Sequence, residues 1–210
     1  MTATLHPRRA LVGARAFAAL ALVLALPGCA LRAPQPGSGL DQAARRDQLL
    51  ALGSWDLRGR IAVRADSGGG QGDFEWHQQG EHTRIRLSGP FGAGAWQLDW
   101  DPQSVTVSGR DGTATRRWTG ADATTQFLDE QLGWSFPAVS TRYWLLGLAD
   151  PDAAAQETRA ADGRLEILEQ DGWTVRYERY TEAPGLAMPA KIVLESARAR
   201  LRVVIDRWRL

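Results

Sequence analysis

From Trp55 onward the apolar positions recur at every second residue. In WDLRGRIAVRA, Trp55, Leu57, Ile61 and Val63 share one parity, while Asp56, Arg58, Arg60 and Arg64 share the other. A period of two with one dry and one wet face is a half-buried strand. The alternation returns in DFEWHQQ, with Phe74 and Trp76 set against Asp73, Glu75 and His77. It returns again in HTRIRLS, with Ile85 and Leu87 against Arg84 and Arg86, and in AWQLDWD, with Trp96, Leu98 and Trp100 on one face. SVTVSG and TATRRWT continue the series across the turn residues Asp111 and Gly112, so about six short antiparallel strands are expected in a row. The glycine-rich stretch DSGGGQG, after the first strand, reads as a hairpin loop.

Three segments break this period. Residues 40–52 read as a helix, with Leu49, Leu50 and Leu52 near its end and Gly53 as its stop. Residues 121–132 read as a second helix, with Asp122 placed to cap it and Gly133 to end it. After Pro137, AVSTRYWLLGL reads as a third, with Trp144, Leu145, Leu146 and Leu148 making it apolar enough to lie on a greasy surface. Strands then resume in RLEILEQ, WTVRYERY, KIVLES and RLRVVIDRW. The fold class that follows is mainly β with α: a long antiparallel sheet that twists and curls, with helices over its concave side. Two readings of the aromatic inner face stay open, a filled core or a partly open cavity for an apolar ligand.

The N-terminus changes the picture. HPRRALVGAR is basic, AFAALALVLAL is apolar, and LPGCA ends in small residues; this is the order of a secretory signal. The apolar run is about half the roughly 20 residues that a membrane-spanning helix needs. Cys29 is the only cysteine, so the chain can form no intramolecular disulfide and no multi-cysteine metal site. Leu26-Pro27-Gly28-Cys29 resembles the bacterial lipobox, in which the cysteine is lipidated and becomes the new N-terminus. Ala30 follows where an aspartate would signal inner-membrane retention, which points to the outer membrane. The expected organisation is a signal peptide at 1–28, a lipidated tether rich in Pro, Gly and Ser at 29–39, and one domain at 40–210.

Charge and motifs narrow the function by exclusion. The chain carries 25 basic and 24 acidic residues; without Arg8, Arg9 and Arg15 of the signal, 22 basic residues face 24 acidic ones. A secreted domain with that balance is no nucleic-acid binder. His77 and His82 fall on the polar phase of their strands. SGGGQG lacks the Lys-Ser/Thr of a phosphate loop, and no nucleophile elbow or zinc-binding HExxH is present. No carboxylate pair is marked for acid–base work, so no catalytic residue and no metal site is assigned.

One feature remains anomalous. In RLSGPFGAGAWQLDW a turn joins two strands, yet Phe91 sits between Pro90 and Gly92, where small polar residues are usual.

WDLRGRIAV from Trp55, FEWHQ from Phe74, RIRLSGPFG from Arg84, RYWLLGL from Arg142, WTVRYERY from Trp173, AMPAKI from Ala187 and the terminal DRW at Asp206 occur in the order seen in the LolB family of outer-membrane lipoprotein receptors, which the chain resembles throughout. The resemblance implies an unclosed antiparallel β-barrel, a curved sheet of about 10–11 strands by the pattern above, with an α-helical lid over a hydrophobic cavity. It also implies a monomeric acceptor that takes lipoproteins from the soluble periplasmic carrier LolA and passes their acyl chains to the inner leaflet of the outer membrane. No cofactor is expected beyond the covalent lipid on Cys29. The loop Pro90, Phe91, Gly92 would be the membrane-insertion loop; the family commonly has leucine there, so Phe91 departs in identity but not in kind. Residues expected to line the acyl cavity are Trp55, Trp76, Ile85, Leu87, Trp96, Leu98, Trp144, Leu145, Leu146 and Trp173. The rival reading is a non-catalytic structural lipoprotein that scaffolds an envelope assembly; a lipid-modifying enzyme would need a polar cluster inside the cavity.

Overall fold

The computed structural model describes residues 39–66, 68–89, 94–109, 114–131 and 136–210. The signal, Cys29, most of the tether and the loop residues Pro90, Phe91 and Gly92 lie outside the described residues.

Helix α1 (Gly39–Leu50) leads into a meander of β1 (Ser54–Ala65), β2 (Gly68–Gln79), β3 (His82–Ser88), β4 (Trp96–Asp101), β5 (Ser104–Ser108) and β6 (Ala114–Thr119). Helices α2 (Ala123–Gln131) and α3 (Ala138–Leu146) follow. A second meander of β7 (Ala155–Arg159), β8 (Leu165–Gln170), β9 (Trp173–Ala183), β10 (Leu186–Glu195) and β11 (Ala199–Arg209) completes the chain. All eleven strands form one curved antiparallel sheet, in the order β6-β5-β4-β3-β2-β1-β11-β10-β9-β8-β7. The two meanders are joined where β1 pairs with β11, from Asp56↔Arg209 to Ala65↔Ala199, across an irregularity at Arg58/Gly59. β6 and β7 stand at opposite edges, so the barrel is unclosed.

The side-chain alternation decides which face is inside. The dry parity of β1, β2, β8, β9 and β11, joined by residues of β10, packs with α3 and the end of α1 into the main core, which includes Trp55, Leu57, Phe74, Trp76, Trp144, Leu168, Val175, Ile192 and Trp208. The wet parity carries cross-strand ion pairs: Arg58–Glu75 at 2.9 Å, Arg84–Asp99 at 2.6 Å, Lys191–Glu178 at 2.6 Å and Arg200–Glu195 at 3.0 Å. Exposed pairs of this kind stabilise by at most about 1 kcal/mol each. Their collective effect is to keep the convex face hydrated, which fixes strand register against a one-residue slip.

The glycine-rich stretch is strand rather than loop. Gly68–Gln71 belongs to β2 and pairs with β1 out to Ala65↔Gly68. Sequence alone reads a loop because glycine is depleted in strands. Here a side chain would not fit at two positions: a Cβ on Gly69 would crowd the Val63 carbonyl, and one on Gly72 would overlap the Ser88 carbonyl oxygen. Gly72 thus allows the close approach of β2 to the Ser88 carbonyl at the end of β3. Gly72→Ala is expected to destabilise the domain by about 1–3 kcal/mol, as overpacking does, seen as a lower denaturation midpoint with unchanged m-value. β7, AQETR, is polar at nearly every position and carries no alternation to reveal it.

Candidate functional site

Between the concave face of the sheet and helices α2 and α3 lies an apolar cavity of about 230 Å³. Its floor comes from Ile61 and Val63 of β1, Phe74 and Trp76 of β2, Ile85 and Leu87 of β3, Leu98 and Trp100 of β4 and Val105 of β5. Ile192, Leu194, Leu201 and Val203 of β10 and β11 extend it. Its roof is Thr124, Phe127 and Leu128 of α2, then Phe136, Ala138, Thr141, Trp144 and Leu145. Among the described residues its lining carries hydroxyls at only two positions, Thr124 and Thr141, and no ionisable side chain, so the site suits hydrocarbon.

The two roof helices are held very differently. α3 is fastened at both ends to the second meander. At its start, Ser140 Oγ lies 2.9 Å from Asp150 Oδ2 and 2.7 Å from Asp171 Oδ2. In its last turn, Trp144 Nε1 donates to Gln170 Oε1 at 2.8 Å, and the buried Tyr177 hydroxyl donates to the Trp144 carbonyl at 3.0 Å. Gln170 also accepts from the Asp150 N–H and donates to the carbonyls of Asp150 and Ala153, so its amide is fully used. Gly147, at φ 76°, ends the helix. The N–H groups of Gly147 and Leu148 return to the Trp144 and Tyr143 carbonyls, a Schellman closure. α2 instead packs on the edge of the first meander. Phe127 meets Trp118 edge-on at 5.2 Å, and Glu130 pairs with Arg116. This small cluster, with Val105 and Ala123 at its centre, is separate from the main core.

Burial also sets the titrations under α3. Loss of water raises the hydroxyl pKa of Tyr177 well above its ordinary value, and Tyr180 moves the same way for the same reason. Both phenols stay neutral donors, Tyr180 to the Leu165 carbonyl at 2.9 Å. On α1, burial lowers the Arg45 pKa, and its guanidinium donates to the Ala187 carbonyl at 2.7 Å.

Of the ten residues expected at the cavity, Trp76, Ile85, Leu87, Leu98, Trp144 and Leu145 line it; Trp55, Trp96, Leu146 and Trp173 do not. Trp55 has the right parity but the wrong depth. It stacks behind Trp76 at 6.1 Å and against Trp208 at 5.6 Å, closing the core beyond the cavity. Trp173 is in the core, edge-on to Phe136 at 5.6 Å. Leu146 is one helical step past Leu145 and turns into the core. Trp96 lies past the other end of the cavity and is half exposed. The α2 wall was missed, although Thr124, Phe127 and Leu128 have the i, i+3, i+4 spacing of one helix face. Cys29 and the loop Pro90, Phe91, Gly92 fall outside the described residues. His77 is exposed and pairs with Asp56, and no cluster of three or more potential metal ligands occurs among the described residues.

Comparison with known proteins gives a consistent picture. The family described as outer membrane lipoprotein LolB matches residues 53–208. An outer-membrane lipoprotein LolB of Chromohalobacter salexigens is 33% identical over 208 residues, covering 98% of this chain and 95% of that one. The LolB of Pseudomonas fluorescens is 35% identical over 199 residues, covering 92% and 95%. Among solved structures, a LolA-superfamily protein from Nitrosomonas europaea superposes with a TM-score of 0.50 at 11% identity, over 83% of this chain and 94% of that one. That likeness bears on the fold alone. With most of its length matched both by the family and by these relatives, the chain belongs to the LolB family of outer-membrane lipoproteins.

Proposed function

We propose that this protein is an outer-membrane acceptor for lipoproteins. It takes their acyl chains from a soluble periplasmic carrier of the LolA kind and hands them to the membrane. Cys29 carries its own lipid anchor and the domain faces the periplasm. The observation that carries this reading is the apolar cavity under two helices of unequal attachment. A lipoprotein with roughly 40 acyl methylenes would expose more than about 30 kcal/mol of unfavourable surface to water, at about 0.8 kcal/mol each. Such a substrate moves by contact from one apolar site to another. The chain has no nucleotide-binding motif, so transfer runs downhill, from carrier to acceptor to bilayer. The reaction is one of binding and release, with no catalytic residue and no cofactor.

The cavity's 230 Å³ is below the roughly 300–1,000 Å³ of ordinary ligand pockets. Acyl chains therefore enter by displacing part of the roof. α3, tied to Gln170, Tyr177 and Asp171, is the poorer candidate for that movement. α2, held by a small cluster at a sheet edge, is the better one.

The test incubates carrier loaded with lipoprotein against the full chain bearing Cys29→Ala. The lipoprotein is expected to move to this protein without nucleotide. Leu98→Asp, which puts a charge in the cavity floor, is expected to lower capture at least about tenfold, the effect of ~1.4 kcal/mol. Lipoprotein that stays on the carrier in the presence of the Cys29→Ala chain would overturn the reading.

A further inference from the structure

The inner faces of β3 and β4 form a ladder of three directly opposed pairs: Thr83↔Trp100, Ile85↔Leu98 and Leu87↔Trp96. Exposure rises along it. Thr83 is 5% exposed, Ile85 and Leu98 are half-buried, and Leu87 and Trp96 are 40% and 51% exposed. Trp100, Leu98, Ile85 and Leu87 all stand in the cavity wall, and Trp96 is the next step outward. The apolar surface therefore does not end at the helices. It continues from inside the cavity to open surface with no polar side chain interrupting it beyond Thr83.

Only five large hydrophobic residues are exposed among the described residues, and two of them, Leu87 and Trp96, face each other at this one place. Core packing does not require the arrangement, because Trp96 belongs to neither apolar cluster. The outer faces of the same strands are polar at the same level: Arg86 donates to Gln97 at 2.9 Å, and Arg84 to Asp99 at 2.6 Å. One side of the hairpin base thus presents hydrocarbon and an indole, and the other presents guanidinium groups. Indole rings partition to the headgroup boundary of bilayers, with the apolar body inward and the N–H at the polar side, and Arg side chains reach headgroups from the same depth.

We propose that this ladder is the exit ramp for acyl chains, with Leu87 and Trp96 as a threshold that seats in the lipid surface so that a chain leaves the cavity without crossing water. The inference deepens the acceptor reading and rests on it. A continuous apolar path removes the cost of exposing each methylene in turn, which is the barrier to release. A lipid surface is the favoured occupant over an apolar protein face because the ramp leads directly out of a hydrocarbon-binding site.

The experiment has two arms. In the first, the full chain bearing Cys29→Ala receives one new thiol, at Trp96→Cys, Leu87→Cys or, as a control at another exposed apolar position, Val139→Cys. Each is labelled with a polarity-sensitive fluorophore and mixed with phosphatidylethanolamine–phosphatidylglycerol vesicles containing brominated acyl chains. Labels at 96 and 87 are expected to be quenched about twofold or more, as for interfacial side chains, and the label at 139 unchanged. An unquenched label at 96 overturns the proposal, whatever the protein's activity. In the second arm, Trp96→Gln in the otherwise unaltered chain is expected to capture lipoprotein from the carrier as before but to release it to vesicles about tenfold more slowly, the effect of ~1.4 kcal/mol, with Trp96→Phe largely restoring the rate. Release at the unaltered rate overturns the ramp. Capture and release falling together overturns it in favour of a carrier-docking surface. If the unaltered chain captures nothing, the acceptor reading fails, and the quenching arm still decides the lipid contact.

Discussion

Phe91→Glu is expected to leave capture from the carrier intact while delivery to vesicles falls by about tenfold to a hundredfold. Burying a phenylalanine side chain in an apolar phase is worth about 1.5–3 kcal/mol, and each 1.4 kcal/mol is a factor of about ten. A carboxylate reverses the sign, since it favours water over the bilayer. The prediction rests on sequence context: a large ring between Pro90 and Gly92, in the segment between β3 and β4. Phe91→Leu, which keeps the apolar character that the family commonly shows there, should deliver almost normally. Capture and release must be read separately, by retention of lipoprotein on the purified variant and by its appearance in floated vesicles. Normal delivery by Phe91→Glu would remove this residue from the membrane step. A loss of capture would place it at the carrier interface instead.

Trp144→Ala carries the largest expected stability effect. The indole is 1% exposed, forms part of the cavity roof, and ties α3 to β8 through Gln170. Large-to-small changes at such sites cost about 3–5 kcal/mol. At about 2–4 °C per kcal/mol for a domain of this size, the midpoint of thermal unfolding should drop by roughly 6–20 °C. Trp144→Phe keeps most of the packing and loses the bond to Gln170, so it should cost about 1–2 kcal/mol. A shift of only a degree or two for the alanine variant would show that α3 is not the fixed part of the roof, and the division of labour between α2 and α3 would fail with it.

The strands with a dry and a wet parity were legible because water sorts side chains every second residue. β1, β3 and β4 are of this kind, and so are the three helices, within a few residues. What the pattern could not supply was position along the strand. Trp55, Trp76, Ile61 and Val63 belong to inner-face series that read alike, yet Trp55 seals the core and the others open on the cavity. Depth is set by which strands and helices come together in space, through pairings such as Ile61↔Val203 that are remote in the chain. The glycines of β2 were opaque for a related reason: their role is defined by the backbone carbonyls of neighbouring strands, not by their own composition. The parity of Trp96 matches that of the lining residues Leu98 and Trp100, and only the end of the cavity explains why it is exposed. Pattern alone marks Phe91 only as odd; the expected role of the loop Pro90, Phe91, Gly92 comes from the family resemblance, and that of Cys29 from the lipobox-like Leu26-Pro27-Gly28-Cys29.

The pairing of β1 with β11 has a consequence for biogenesis. Within each meander every strand pairs with its sequence neighbour, so each half-sheet is built from local contacts. The seam between them joins Asp56 to Arg209, nearly the full span of the domain, and such remote pairings form late because a long loop must close first. A chain that crosses a membrane N-terminus first would bring β1 through early and β11 last. Until then the central edge of the first half-sheet, β1, would stay open. A chain delivered in that order would have an interval, set by translocation rather than by its own folding rate, during which its charged outer face works against pairing with the wrong strand.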